Sequence, residues 1–410
     1  MSRATAPGAA VRFPALHAPA FRLYWVTSTV AMLGDNIEHV IGYWLLWELT
    51  HSPFWLGYAV FAHWFPFLIF SLHAGAWADR FDNRYLLQVN QACLVICSGA
   101  LGLLAVTGHL QLWHMIVLLL LHGFAGVIQM PSSQVLVYDL VGKDSLPNAL
   151  SLSASSRYVA QFLGPMIGTW LLTTFGAGGG LLANLVFYAP LSIALLFLNP
   201  PRTLQPTPRT TGWRGIVEGL RFVRRHQAIL GLTLLAAIPG GLLGFGYQAL
   251  MPALAEELGS GQRGFGLLLS ANGVGAVAGA IVLGYAGRIG GRGWAVCVAT
   301  LAWAALLVLF ALLPWFWLAV VVLLLVGAAS IVANALTQAL VQALSPDDLR
   351  GRIMGVYATA VFGPRVISGL LLGALATALG AHAAVGVLAG LIVAVVLALI
   401  AALPTLRTLD

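Results

Sequence analysis

The sequence contains very little charge. Only 8 % of its 410 residues are Asp, Glu, Lys or Arg, whereas 60 % are hydrophobic, and the mean hydropathy is +0.91. A soluble domain carries about 25 % charged residues, so this chain has too few to cover a water-facing surface. Most of it must face lipid or other helices. The composition therefore predicts an all-α integral membrane protein.

Cysteine and the motifs of common enzymes are also scarce. The three cysteines lie inside apolar runs, which excludes a disulfide framework built from loop cysteines. There is no Gly-x-x-x-x-Gly-Lys-Ser/Thr stretch for ATP and no nucleophile motif with a partner base. No histidine pair along the chain shows convincing metal-ligand spacing with an acid. We therefore expect no enzyme activity, no cofactor and no metal site.

Apolar runs between turn signals predict about twelve membrane spans, because each span needs about 20 apolar residues. The first six lie near 22–49, 54–78, 85–107, 112–137, 148–174 and 181–198. The second six lie near 228–255, 264–287, 293–312, 315–342, 350–378 and 382–403. The predicted domains are an N-terminal bundle at 1–198, a cytoplasmic linker with an amphipathic helix at 199–227, and a C-terminal bundle at 228–410.

The positive charges segregate if these spans alternate. One side holds Arg3, Arg12, Arg22, Arg80, Arg84, Lys143, the arginines of 202–225, Arg288, Arg292, Arg350, Arg352 and Arg407, and the other side holds only Arg263. The positive-inside rule then places both termini and the loop at Asp79 in the cytoplasm. The net charge of +7 is explained by this topology, so we expect no nucleic-acid partner.

The linker has two parts. Residues 199–212 include four prolines and predict a polar, partly extended connection. Apolar residues then recur at helical spacing between arginines over 213–225, which predicts a helix lying on the inner leaflet or a solvated linker helix.

The stretch 75–84, Gly-Ala-Trp-Ala-Asp-Arg-Phe-Asp-Asn-Arg, is a charged hairpin between two apolar runs. It resembles the loop that joins the second and third helices in the major facilitator superfamily of transporters. The matching residues are Gly75, Asp79, Arg80 and Arg84, while Asp82 and Asn83 replace the usual glycine and basic residue. The resemblance implies two pseudo-symmetric six-helix bundles and transport by alternating access. It also implies that Asp79 and Arg80 hold the cytoplasmic ends of the bundles together, with Arg350 or Arg352, beside Asp347 and Asp348, as partners.

An internal repeat supports two related halves. Gly164-Pro165 in the fifth span has a counterpart in Gly363-Pro364 in the eleventh span. Proline removes a helix hydrogen bond and glycine permits close approach, so each pair supplies a bend or a tight contact in a rocking carrier, or merely shapes packing.

Further segments resemble the branch of the superfamily that contains the enterobactin exporter and related drug-efflux carriers. They are Gly34-Asp35, residues 146–150 and residues 349–355. Gly164-Pro165 followed by Gly168 is similar to the fifth-helix motif of proton-coupled antiporters. This resemblance implies export more than import.

The first span contains three ionisable residues, Asp35, Glu38 and His39, about 18–25 Å from its inner end at 1.5 Å per residue. A charge at this depth costs at least about 2.5 kcal/mol, so such groups are retained only when paired, neutral or facing water. Their i, i+3, i+4 spacing places them on one helix face. One interpretation is that they carry or gate a coupling proton. The alternative is that Asp35 is a packing partner of Arg157.

Two arginines also lie at span depth, Arg157 and Arg365. Because arginine stays charged, each needs a buried acid, a water-filled cavity or an anionic ligand. We expect Arg365 either to contact an acidic or oxygen-rich substrate group or to neutralise Glu38. The other candidate substrate-binding residues are Gln161, Asn272, Asn334, Gln338, Tyr247, Trp64 and His63.

The sequence thus predicts a monomeric, multi-pass inner-membrane carrier that exports a small amphipathic or anionic organic compound, siderophore-like or drug-like, in exchange for protons. The alternatives are uptake of a siderophore-like compound, flipping of a lysophospholipid, and a non-transporting membrane receptor with a carrier fold. Titratable groups deep in the first span count against the receptor.

Overall fold

The structure is a computed structural model that describes residues 13–199, 213–244, 246–285, 291–346 and 349–409. The N-terminal half contains α1 (Pro19–Thr50), α2 (Pro53–Arg80), α3 (Asn83–Val106) and a long helical run, α4 (Leu112–Phe197). Glycines at positive φ, Gly142 (φ 70°) and Gly176 (φ 70°), divide α4 into three segments at 112–141, 143–175 and 177–197. Only glycine adopts this backbone conformation readily, so two chain reversals need no intervening loop.

The C-terminal half begins with the amphipathic helix α5 (Trp213–Arg225). It continues with α6 (Gln227–Leu242), α7 (Gly246–Ala249), α8 (Met251–Glu257), α9 (Gly261–Tyr285), α10 (Arg292–Leu312), α11 (Phe316–Leu344), α12 (Arg350–Phe362), α13 (Arg365–Leu379) and α14 (Ala381–Ala402). Short 3-10 helices, Pro14–His17 and Pro404–Thr408, lie near the ends. The linker residues 200–212 and the predicted gate partners Asp347 and Asp348 lie outside the described residues.

The predicted all-α membrane architecture is confirmed. Among the described residues, nine helical runs are long and apolar enough to cross a membrane. The 86-residue run α4 provides three of the predicted spans, and α1, which is 32 residues long, supplies one more. The helices in the described parts of the chain therefore account for twelve spans in two sets of six.

Several predicted span boundaries differ from the structure. Residues 138–147, expected in a loop, are helical apart from the break at Gly142. The seventh span, predicted as one run at 228–255, is divided into α6, α7 and α8. The break follows Pro239, Gly240 and Gly241, which weaken the helix at this point.

The Gly-Pro pairs differ between the halves. The eleventh span is interrupted at Gly363-Pro364, between α12 and α13. The helix at Gly164-Pro165 instead continues, and a Cβ added at Gly164 would lie 2.4 Å from the Cβ of Asn36. One pair therefore interrupts its helix, whereas the other makes a tight helix contact with α1.

The two halves are in close contact at the end of the molecule opposite the 79–84 hairpin, which we call the far end. A Cβ added at Gly57 in α2 would lie 2.1 Å from the carbonyl oxygen of Gly369 in α13. A Cβ added at Gly266 in α9 would lie 1.9 Å from Thr169 in the second segment of α4. Small residues allow the backbones to meet here, so this conformation is closed at the far end.

Candidate functional site

A network of acids and histidines lies inside the N-terminal bundle. Glu38 in α1 is almost fully buried and has two partners. His122 Nδ1, from the first segment of α4, lies 2.9 Å from Glu38 Oε1, and the Tyr188 hydroxyl donates to Glu38 Oε2 over 2.8 Å. His122 Nε2 lies 3.1 Å from Asp35 Oδ1. The buried carboxylate is therefore hydrogen-bonded at both oxygens, as a low-dielectric interior requires.

The predicted helix face extends this network to α2. His39 Nδ1 lies 2.8 Å from the carbonyl oxygen of Asp35, and its Nε2 lies 3.3 Å from His63 Nδ1. The rings of His39 and His122 meet edge to face with centroids 4.9 Å apart. His39, His63 and His122 thus converge from three different helices on one small space, and one ring nitrogen from each lies within 4.8 Å of the others.

The pairing of Asp35 differs from the predicted packing alternative. Its carboxylate lies beside His122 at 3.1 Å and His39 at 3.9 Å, and Arg157 is exposed. Gln161 is exposed one turn further along the same helix. The alternative interpretation, in which Arg157 is the partner of Asp35, is therefore wrong, because the side chains that reach this acid are those of neighbouring histidines.

Arg365 lies at the junction of the two halves. It is the first residue of α13, directly after the Gly363-Pro364 interruption, and its side chain is buried. Its guanidinium carbon lies 4.9 Å from the ring centre of Trp64 in α2 and 4.6 Å from that of Phe362 in α12. The two rings stack with an interplanar angle of 6°. Delocalised guanidinium groups are favoured against aromatic faces, so an aromatic and cationic wall spans the bundle interface.

The polar residues of the C-terminal bundle largely bond one another. Asn272 donates to the Tyr247 hydroxyl over 3.0 Å and accepts from Gln248 over 3.2 Å. Asn272 and Tyr247 are both buried. Asn334 donates to a carbonyl of its own helix, and Gln338 is exposed. Two of the predicted substrate-binding residues of this half, Asn272 and Tyr247, therefore belong to a cluster that joins helices.

The residues of the predicted gate lie at the hairpin end. Arg84 bonds Asp82 over 2.7 Å, and it also donates to the Leu198 carbonyl and to Asn199, so it ties α3 to the last segment of α4 within one bundle. Asp82 also caps α3 by accepting from the Arg84 amide. Asp79 and Arg80 are exposed.

At the same end of the molecule but in the C-terminal half, Arg352 forms an ion pair with Glu218 of the amphipathic helix α5. A Cβ added at Gly219, also in α5, would lie 3.1 Å from the Arg352 carbonyl oxygen. The amphipathic helix is therefore fastened to the start of the eleventh span.

Acidic residues at the far end were not anticipated from sequence. Glu256 accepts a hydrogen bond from the Trp47 indole and so joins α8 to α1 across the two halves. Glu257 accepts from the backbone amides of Ala381 and His382 at the start of α14, over 2.6 Å and 3.1 Å, and lies 2.5 Å from His382 Nδ1. Partial burial raises the pKa of Glu257, but these hydrogen bonds outweigh it and lower the pKa below its ordinary value.

The sequence did not reveal how the central network is assembled. His122 and Tyr188 are 84 and 150 residues from Glu38, so no local spacing marks them. The available signal was a histidine and a tyrosine at span depth, which need polar partners there.

Comparison with known proteins identifies the family. Residues 10–410 match the transmembrane secretion effector family of the major facilitator superfamily. The chain is 28 % identical over 375 residues to the enterobactin exporters EntS of Shigella boydii serotype 18 and Escherichia coli O139:H28, covering 90 % of this chain and 88 % of each exporter.

Solved transporters share the fold. The nucleoside transporter NupG superposes with a TM-score of 0.72 at 12 % identity, covering 93 % of this chain and 98 % of NupG. An inward-facing bacterial homologue of the human lysosomal transporter Spinster gives a TM-score of 0.69 at 14 % identity, covering 95 % of this chain and 96 % of the homologue. The chain is therefore a membrane transporter, not an enzyme, and it belongs to the transmembrane secretion effector family of the major facilitator superfamily.

Proposed function

We propose that this transporter exports a small amphipathic or anionic organic compound, siderophore-like or drug-like, by alternating access. The observation that carries this proposal is the position of Arg365. Its guanidinium lies against Trp64 of one bundle and Phe362 of the other, so both halves contribute to the same wall. An anionic aromatic molecule fits this wall through charge, hydrogen bonds and stacking.

The relatives support the direction and the substrate class. Curated relatives that match over 90 % of this chain include enterobactin exporters, and the matching family is described as transmembrane secretion effectors. We therefore propose a siderophore-like compound as the first substrate to test, moving from the cytoplasm outward.

We further propose that export is driven by protons and that Asp35, Glu38 and His39 carry or gate the coupling proton. These residues form one connected network with His122. A carboxylate that alternately bonds histidine and releases it can couple proton movement to a change of conformation. Arg365 belongs to the substrate wall in this proposal, together with His63, Arg157 and Gln161.

The topology and the gate complete the proposal. We propose an inner-membrane monomer with both termini in the cytoplasm, as the positive charges at the hairpin end favour. Asp79 and Arg80 are proposed to join the cytoplasmic ends with Arg350 or Arg352 when the carrier faces outward. Gly75, Arg84, Gly164-Pro165 and Gly363-Pro364 are proposed to shape the hairpin and the helices that rock.

Proteoliposome flux tests the function. Purified protein is reconstituted, and transport of a catecholate siderophore or a fluorescent efflux dye is followed with and without an imposed pH gradient. We expect flux from the face that carries the hairpin to the opposite face, accelerated when protons flow the other way, and lost in Arg365→Ala. Arg263→Ala, which changes an exposed arginine at the far end, is the matched control.

Each other outcome rejects part of the proposal. Flux in the reverse direction indicates uptake, and movement of a labelled lysophospholipid alone indicates a flippase. The absence of flux for every compound, with substrate binding retained, indicates a receptor. Full transport by Arg365→Ala rejects the assigned wall.

A further inference from the structure

We propose that His39, His63, His122 and Asp35 form a binding site for a divalent transition-metal ion of the kind represented by Zn²⁺. The sequence predicted no metal site because its histidines and acids lack metal-ligand spacing along the chain. The folded chain instead collects three imidazoles from α1, α2 and α4, with one nitrogen of each within 4.8 Å of the others. Imidazole nitrogen and carboxylate oxygen are the ligands of tetrahedral Zn²⁺ sites in proteins.

The distances between donor atoms fit such an ion. Zn²⁺ binds histidine nitrogen at about 2.0–2.1 Å, which places two ligands of a tetrahedron about 3.4 Å apart. His39 Nε2 and His63 Nδ1 are separated by 3.3 Å. His122 Nε2 and Asp35 Oδ1 are separated by 3.1 Å. Two pairs of donor atoms thus already have the separation that a tetrahedral ion requires, and one nitrogen of each histidine lies within 4.8 Å of the others.

The outer contacts orient these rings as metal-binding histidines require. A ligating histidine nearly always donates its other ring N–H to a carboxylate or a backbone carbonyl, which fixes the ring and leaves the second nitrogen for the metal. His39 Nδ1 lies 2.8 Å from the Asp35 carbonyl oxygen. His122 Nδ1 lies 2.9 Å from Glu38 Oε1, and Tyr188 holds the other oxygen of that carboxylate. Both Nε2 atoms are therefore directed into the shared space.

Charge and access also match a dication. The carboxyl groups of Asp35 and Glu38 both contact His122, and in their deprotonated form they offset the charge of a bound ion inside the bundle. The inner side is closed, since the His122 and Glu38 side chains are only 5 % and 6 % exposed. The Asp35 and His39 side chains are 35 % and 25 % exposed, so one side of the cluster remains open as an entry path.

The site shares Asp35 and His39 with the proposed proton path and His63 with the proposed substrate wall, so a bound ion competes with a coupling proton and with substrate for these side chains. The inference itself does not depend on transport. Binding is therefore measured without substrate and without a gradient, so that its failure and the failure of the export proposal are distinguishable.

The experiment uses the full chain, purified in detergent without a polyhistidine tag. Zn²⁺ binding is measured by calorimetry and by metal content after gel filtration, and Co²⁺ reports geometry through its visible absorption. We expect one ion per chain and the intense spectrum of tetrahedral Co²⁺. His63→Gln should weaken Zn²⁺ binding by about 100-fold or more, since even outer contacts of metal sites are worth 10–100-fold. His73→Gln is the control, because His73 is an exposed histidine of the same helix.

Asp35→Asn serves as a second variant, and gel filtration and thermal melting confirm that each variant is folded. We expect Asp35→Asn to weaken binding and to change the Co²⁺ spectrum. The inference is overturned if folded His63→Gln and Asp35→Asn bind Zn²⁺ as the unmodified protein does. It is equally overturned if His73→Gln loses as much affinity as His63→Gln, or if the Co²⁺ spectrum shows only weak octahedral bands.

Discussion

The two bundles place different chemistry in matching positions. In the N-terminal half, the first, second and fourth spans bring together Glu38, His63 and His122. The counterparts of these spans in the C-terminal half are the seventh, eighth and tenth. There Tyr247 bonds Asn272, and Asn272 also donates to the carbonyl of Leu323 in the tenth span over 3.4 Å. One half is ionisable at this point, and the other is neutral.

Under the proposed function, this difference assigns different tasks to the two halves of a repeated architecture. The neutral amide cluster bonds residues of three helices and holds them in one arrangement. An acid and histidine network can exist in more than one charge state, and each state favours a different set of bonds. We infer that the N-terminal half responds to ions, whereas the C-terminal half contributes a fixed frame and the cation Arg365.

The largest expected effect is the loss of gradient-driven export in Glu38→Gln. The substitution keeps the size of the side chain but replaces the carboxyl group that contacts His122 by an amide, which cannot carry a proton in exchange. Proton transfer by a positioned side chain contributes about 100-fold or more to a rate, so we expect export driven by a pH gradient to fall by about that factor. Substrate counterflow without a gradient should persist, because the Arg365 wall is unchanged.

Glu48→Gln is the control for this experiment. Glu48 is an exposed acid of the same helix that accepts a bond from Trp44 over 2.6 Å. The Glu48→Gln variant should export substrate at the rate of the unmodified protein. Unchanged gradient-driven export by both Glu38→Gln and Asp35→Asn would remove the functional difference between the halves.

A smaller effect is expected at the contact between the halves. The alanine Cβ in Gly57→Ala would lie 2.1 Å from the Gly369 carbonyl oxygen and 2.9 Å from the Gly373 Cα. Both of these contacts are with backbone atoms, which cannot rotate away as a side chain can, so α2 and α13 must separate. We expect the population to shift about tenfold or more, about 1.4 kcal/mol, towards conformations open at the far end.

Spin-label distances across the far end measure this shift. Gly42→Ala in α1 is the control, since a Cβ there meets no heavy atom within 4 Å. If Gly57→Ala leaves the distance distribution unchanged, the halves do not close through this glycine contact.

Tyr247→Phe tests the neutral cluster. The variant loses the hydrogen bond from Asn272 to the Tyr247 hydroxyl while keeping the ring buried. A buried hydrogen bond contributes about 1 kcal/mol net, and more when its partner is left unsatisfied. We expect a lower thermal midpoint of the purified protein with the same dependence of export on the pH gradient. A variant that transports but no longer responds to the gradient would show that ion coupling is spread over both halves.

The sequence predicted the parts of this molecule that are local in the chain. Hydropathy located the twelve spans, and the spacing of Asp35, Glu38 and His39 placed them on one helix face. It could not assign Tyr188 to Glu38 or collect three histidines from separate helices, because those contacts arise only when the bundle packs. The divided seventh span was also missed, although Pro239, Gly240 and Gly241 were visible. Interruptions of this kind depend on whether neighbouring helices satisfy the freed backbone groups.

The smallest expected effect lies outside the bilayer, where Glu257 caps α14. Its pKa is lowered because the hydrogen bonds from Ala381 and His382 outweigh the effect of burial. A lowered pKa stabilises the folded state above the ordinary value near 4.5, and this contribution is lost as the pH falls through the lower folded value. At pH 7 we expect the melting temperature of Glu257→Gln to be at most about 2 °C below that of the unmodified protein. At a pH below both the folded and the ordinary pKa of Glu257, we expect the two melting temperatures to be equal. Thermal melts of detergent-solubilised protein across this range measure the difference. If the melting temperature of Glu257→Gln is lower by the same amount at every pH, Glu257 acts through packing. The ionisation of Glu257 then does not stabilise the far end of the C-terminal half.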